Sequence, residues 1–92
     1  MIQTIRHRGL KRLYERGDAS GVRTDQVTRM SDVLAHLDAA QKPSNLALPG
    51  YRLHPLKGDY KGWWSVTISG NWRIIFRSED GDAFDVDVVD YH

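Results

Sequence analysis

Apolar residues recur at two different spacings along the chain, and the change of period separates a helical first half from a β-rich second half. In RGLKRLYER (8–16), Leu10, Leu13 and Tyr14 share one helical face, and Gly17 ends the run. Thr24 has the chemistry of an N-cap, and Asp25 follows in the first turn, where the helix dipole favours negative charge. Val27, Met30, Val33, Leu34 and Leu37 then fall on one stripe, which predicts an amphipathic helix laid on a core. Pro43 closes that helix, and PSNLALPG reads as a connector. Beyond it the period becomes two. Trp64, Val66 and Ile68 alternate with Ser65, Thr67 and Ser69; Trp72, Ile74 and Phe76 alternate with Arg73, Ile75 and Arg77. Gly70-Asn71 between these runs suits a two-residue hairpin, and Asp80-Gly81 supplies a second turn. Phe84, Val86 and Val88 alternate with Asp85, Asp87 and Val89 to the end, YRLHPL reads as a further strand, and IQTI (2–5) as a short first one.

The expected fold is α+β, an N-terminal strand and two helices packed on an antiparallel sheet, in one domain over residues 1–92. The helices must cover one sheet face, because Trp64, Ile68, Trp72 and Phe76 need burial. Arg73 and Arg77 then point to the other face.

Composition narrows the function. A chain of 92 residues with 40% apolar types suits a single modest core, and the absence of cysteine removes thiol and disulfide chemistry. The basic N-terminus has no apolar stretch behind it, so neither a leader peptide nor a membrane span is expected, and the expected location is cytoplasmic. The net charge of +1 conceals an asymmetry. Every Lys and Arg lies at or before Arg77, whereas Glu79, Asp80, Asp82, Asp85, Asp87 and Asp90 follow it. A basic body favours a polyanion such as nucleic acid; equally, the acidic end can neutralise the body by pairing with it. A sheet face carrying Arg73, near a loop carrying His54 and Lys57, is a candidate anion site.

Four stretches carry a resemblance: HRGLKRLYERG, PGYRLHPLKGDYKGWWS, NWRIIF and the ending GDAFDVDVVDYH. Together they resemble the HigB toxins of the RelE superfamily over essentially the whole chain. The resemblance implies a compact RelE-like fold and a toxin of a type II toxin-antitoxin system that cuts messenger RNA on the ribosome. It implies as partners ribosome-bound mRNA, the 16S RNA of the 30S ribosomal subunit, and a HigA-like antitoxin of the helix-turn-helix type, with operator DNA reached only through that antitoxin. It implies no cofactor and no metal. His54, Lys57, Arg73, Asp90, Tyr91 and His92 stand at the positions that match the family's active-site pattern.

These residue types suit RNA cleavage in which the 2′-hydroxyl attacks the adjacent phosphorus. That reaction needs a proton acceptor, a proton donor for the leaving 5′-oxygen, and cations for the charge that grows on phosphorus. His92 and His54 can take either proton role at cellular pH. Lys57 and Arg73 can stabilise the transition state, Arg by gripping phosphate through two N–H groups. Asp90 and Tyr91 can position the RNA or assist protonation, Tyr91 also by stacking on a base. Each residue has an ordinary alternative: His54 a turn residue, Arg73 a solvated strand arginine, the last three a frayed polar tail. His7 and His36 match no catalytic position and are expected to be structural; Trp64 and Trp72 are expected to pack. A ParE-like inhibitor of DNA gyrase on the same fold is the alternative function, and such a blocker has no need of the His54, Lys57, Arg73 and His92 set.

Overall fold

The computed structural model describes residues 1–90; Tyr91 and His92 lie outside the described residues. Two helices, α1 (Arg8–Arg16) and α2 (Val27–Ala39), precede four strands, β1 (His54–Pro55), β2 (Trp63–Ser69), β3 (Trp72–Glu79) and β4 (Asp82–Asp90). The strands form one antiparallel sheet in chain order.

Local chemistry sets the helix ends. His7 caps α1, its Nδ1 accepting the Leu10 N–H at 3.0 Å, and Gly17 closes the helix at φ +68°, where a side chain would be strained. Thr24 does not cap α2. Residues Thr24–Gln26 form a 3₁₀ turn ahead of the helix, Gln26 takes the cap position, and no side chain caps it. Asp25 is instead gripped by both Arg23 Nε and Nη2, at 3.2 and 3.1 Å, because a guanidinium fork offers a carboxylate more than one backbone N–H does.

The α2 stripe is buried as its spacing predicts, with Val33 fully covered and Met30, Leu34 and Leu37 nearly so. It meets Val66, Ile74, Phe76 and Val86 on the sheet's inner face. Helix α1 approaches closely because two glycines touch. A Cβ on Gly9 would overlap the Gly21 carbonyl oxygen, and one on Gly21 would stand 2.6 Å from Gly9 Cα. The connector holds a 3₁₀ turn, Pro43–Leu46, whose Leu46 plugs the core with no exposure at all.

Three departures from strict alternation shape the sheet. The IQTI segment pairs with β4 only through parallel bridges at Ile2 and Ile5, so it is a ribbon held at two points rather than a full strand. YRLHPL contributes just His54 and Pro55: Gly50 and Arg52 take φ of +82° and +50°, which bends the chain away, and Pro55 has no N–H to extend the ladder. In β4, Ile75 faces Asp87 and Arg77 faces Phe84, so β4 spends three residues where β3 spends two. Asp85 takes φ +55° at this bulge. The extra residue turns Phe84 away from the core, under the Arg77 guanidinium at 4.8 Å, and puts Ala83 inside instead.

Candidate active site

The outer sheet face is read off the strand register. Thr67, Arg73 and Val89 form one row across it; His54, Ser65, Ile75 and Asp87 form the next. Residues paired across strands project to the same side. His54 and Arg73 therefore share a face, two strands and one row apart, or about 12 Å between backbones from standard sheet spacings. Ile75 is 4% exposed and Ser65 3%, so these two make a tight floor between the polar residues.

His54 is exposed and begins the sheet's edge strand. Lys57, three residues on, is exposed at the start of the 3₁₀ turn Gly58–Tyr60 that leads back to β2. Arg73 is half-buried and curls toward the hairpin: its Nη1 donates to the Gly70 carbonyl at 2.7 Å and the Trp72 carbonyl at 3.1 Å. These two donated bonds hold the guanidinium in place, and the fork has three further N–H groups for a ligand. Asp90 pairs with Trp72, one step beyond the Arg73–Val89 pair. Alternation thus sets Asp90 toward the helix side of the sheet end, rather than beside Arg73. Tyr91 and His92 are not described. The structure accordingly brings His54 and Arg73 to one face, with Lys57 on the adjoining loop, and puts Asp90 at the end of that sheet.

Asp87 belongs to the outer face as well, half-buried, its Oδ1 accepting the Val88 N–H at 2.9 Å. Motif reading passed over it, although the alternation of β4 already set it with Arg73. Arg29 is a second residue that motif reading missed. Its Nη2 donates to the Gly50 carbonyl at 2.6 Å and its Nε to the Thr67 carbonyl at 3.3 Å, while its guanidinium lies 4.4 Å from the Tyr51 ring centre. It fastens the bent segment that delivers His54. Its place on the helix gave no signal in the sequence, because its partners are backbone atoms.

The acidic end pairs in part with the basic body. Asp85 meets Arg6 at 3.6 Å and Arg77 at 3.5 Å, Glu79 meets Arg77, and Asp82 meets the N-terminal ammonium at 3.3 Å. The hydrogen bond to Glu79, with the one to Asp85 adding to it, raises the Arg77 pKa above its ordinary value. Among the described residues, Arg8, Lys11, Arg12 and Arg16 of α1 enter no such ion pair and leave that helix face cationic. His7 and His36 serve structure: the first caps α1, the second meets the Tyr51 ring edge-on at 5.8 Å. Trp64 and Trp72 pack against the core. Among the described residues no three His, Asp or Glu side chains gather as a metal site, and no helix is long and apolar enough to cross a membrane.

Comparison with known proteins follows the same lines. Residues 3–92 match a family model described as HigB-like toxin, the RelE-like toxin of the type II toxin-antitoxin system HigB. Endoribonuclease HigB of Proteus vulgaris is 46% identical over 92 residues, covering all of both chains. Toxin HigB-1 of Vibrio cholerae serotype O1 is 46% identical over 48 residues, 51% of this chain and 50% of that one. Among solved structures, a point mutant of YafQ from E. coli superposes with a TM-score of 0.60 at 18% identity, covering 98% of this chain and 91% of that one. YafQ from E. coli strain BL21(DE3) gives 0.55 at 17% with the same coverage. At such identities these two speak for the fold alone.

Proposed function

This chain belongs to the HigB-like family of RelE-like toxins of type II toxin-antitoxin systems, and we propose that its endoribonuclease activity acts on messenger RNA held by the ribosome. The observation that carries this reading is a shared, open sheet face with His54 and Arg73 on it and Lys57 on the loop beside it, in a chain whose full-length relative is named an endoribonuclease.

The chemistry runs through the RNA's own 2′-hydroxyl. A base, His92 or His54, takes the hydroxyl proton as the oxygen attacks the neighbouring phosphorus. The bond from phosphorus to the 5′-oxygen breaks, and the other histidine returns a proton to that oxygen. Lys57 and Arg73 stabilise the negative charge that builds on the phosphoryl oxygens between these events. Asp90 and Tyr91 position the RNA or assist the proton transfer. Arg73 suits its role because the Gly70 and Trp72 carbonyls pre-orient its fork, so little reorganisation is needed when the charge develops.

Dependence on the ribosome follows from how open the site is. His54 and Lys57 are exposed, and nothing among the described residues closes over them. Holding reactants in line contributes several orders of magnitude to rate, and the ribosome, through its 16S RNA, supplies what an open face does not. The toxin's partner is an antitoxin. We place that antitoxin in the HigA-like helix-turn-helix class, which alone brings the pair to operator DNA, and we place the activity in the cytoplasm, where messages are translated. The gyrase-inhibitor alternative is not favoured, since the match runs to the HigB-like toxins.

The test is a comparison of substrates. Purified protein is expected to cleave ribosome-bound message rapidly and the same RNA, naked, poorly. Mapped 5′ ends after brief induction should fall within translated reading frames. Equal rates on both substrates would remove the ribosome from the proposal.

A further inference from the structure

Behind the outer face, at the end of the sheet where the β2–β3 hairpin and the last residues of β4 meet, lies an open recess of about 330 Å³. It is roofed by the loop between α1 and α2. Its walls are Met30, Val88 and the exposed part of Trp72; its polar groups are His7, Arg23 and Gln26. No side chain among these takes part in the cleavage reaction described above.

The chemistry of the lining is specific. The Arg23 guanidinium sits 5.8 Å from the Trp72 ring centre, so an aromatic plane and a cation border the same opening. Asp25 uses two of the guanidinium's N–H groups, and the fork has three more. Gln26 is 1% exposed and polar, held with its Nε2 donating to Ser69 Oγ at 3.1 Å. That bond exists because β2 bulges between Thr67 and Ser69, which turns Ser69 toward the helices. The Nδ1 of His7 accepts the Leu10 N–H, so a neutral ring carries its proton on Nε2 as a donor. An apolar wall, an aromatic plane, an arginine fork already paired with Asp25 and a fixed amide suit an unstacked nucleobase more than a phosphate. The volume lies at the small end for ligand pockets, enough for one nucleotide and not for two.

The position gives the recess its meaning. Asp90, in the proposed cleavage set, is the register partner of Trp72, and Arg73 is the next residue in β3. Trp72 and Arg73 point to opposite faces, so RNA that crosses the sheet end from Arg73 arrives at the Trp72 side. We propose that this recess is a nucleotide subsite: it receives one unstacked base of the RNA, next to the bond being cut, against Trp72 and beside Arg23, with His7 at its edge and the Gln26–Ser69 bond fixing the floor. This rests on the RNA-cleaving reading above, and it adds the group that would select a base.

The chain offers an unusual probe, because Met1 and Met30 are its only methionines. Met30 is 2% exposed in the wall of the recess, and Met1 is 61% exposed far from it in sequence. Full-length protein labelled at the methionine methyls should be titrated with each of the four nucleoside 5′-monophosphates, and separately with inorganic phosphate. The Met30 signal is expected to move with the nucleotides and differ among the four, while Met1 stays still. Arg23→Ala should weaken the response about 5-fold or more, within the range for losing one stacking or cation contact to a base. Trp72→Leu should weaken it further, and because that change could loosen the core, the exposed Arg23 variant keeps the test independent of folding. On programmed ribosomes, Arg23→Ala should alter the base preference at one message position. A still Met30 signal, or one that inorganic phosphate reproduces, overturns the subsite even if the wild type cuts RNA. A nucleotide-specific Met30 shift upholds the subsite even if no ribosome-bound message is cut, which would instead sink the proposed function.

Discussion

Two charged side chains show how differently the same sequence signal can be used. Arg73 is a strand arginine whose guanidinium is held by the Gly70 and Trp72 carbonyls on the face it shares with His54. Its replacement by alanine should lower the single-turnover cleavage rate on programmed ribosomes on the order of 10²-fold, the usual cost of removing one transition-state donor. Ribosome binding should change much less, since many other cations share that task. A folded Arg73→Ala variant with normal turnover would take Arg73 out of the mechanism. Asp38 has no part in chemistry and ties the N-terminal ribbon to α2. Its Oδ1 accepts the Ile2 N–H at 2.9 Å and the Tyr14 hydroxyl at 2.8 Å, and these bonds, the backbone one foremost, hold its pKa below the ordinary carboxylate value. A carboxyl whose folded pKa is depressed contributes stability above its unfolded pKa of about 3.9, and that contribution is lost as pH falls through the lower folded value. Melting temperature should therefore drop as the pH falls below about 5 and through the ordinary carboxylate range, and Asp38→Asn should flatten that acid limb while lowering stability at neutral pH. An unchanged acid limb in the variant would show that other carboxylates govern it.

Among the elements, α1 depends on a contact that no apolar pattern records. Gly9 and Gly21 touch backbone to backbone, and a single methyl on Gly9 has no room beside the Gly21 carbonyl. Gly9→Ala improves intrinsic helix propensity by about 1 kcal/mol, yet it should destabilise the protein by roughly 2 kcal/mol or more, because overpacking against rigid backbone outweighs propensity. Urea titration would read the sign directly. A stabilised variant would mean that α1 can shift away at little cost. The β4 bulge is the counterpart on the sheet. Periodicity read Phe84, Val86 and Val88 as one inward face, which holds for Val86 and Val88. Phe84 fails because Asp85, at positive φ, inserts a residue and inverts the phase before it. The Thr4 hydroxyl and the Arg6 and Arg77 guanidiniums all engage Asp85, and these long-range partners make the bulge worthwhile.

For the whole molecule, the strand ladder carries the fold as far as Asp90, and the proposed mechanism draws on the two residues after it. The β3–β4 ladder is complete through the Trp72–Asp90 pair, so the core strands do not need Tyr91 and His92. Deleting these two residues should leave the melting temperature nearly unchanged and abolish cleavage on ribosomes; His92→Ala should do most of the same, and Tyr91→Ala less. Full activity in the stable truncation would move the proton-transfer roles to His54. Expression of the toxin alone should arrest growth, and co-expression of the neighbouring open reading frame should restore it and yield a co-purifying complex. Harmless expression at verified soluble levels would count against the toxin.

The α+β architecture, α1 and the buried stripe of α2, the Gly70-Asn71 and Asp80-Gly81 turns, and the placing of Arg73 opposite the core face were all legible in the sequence. Each depends on interactions among residues a few positions apart: helical period, strand alternation, glycine at positive φ. The resemblance named His54, Lys57, Arg73, Asp90, Tyr91 and His92 as a set; strand register puts His54 and Arg73 on one face, Lys57 on the adjoining loop and Asp90 toward the other side of the sheet end, while Tyr91 and His92 lie outside the described residues. Tertiary structure decided what depends on partners distant in the chain. Two bulges turned Ser69 and Phe84 to faces that alternation assigns the other way. The row uniting His54, Ser65, Ile75 and Asp87, and the recess between Gln26 and Trp72, exist only once strands and helices far apart in sequence are side by side. A local pattern can say which way a side chain leans, but what it meets there is set by elements whose distance along the chain no period encodes.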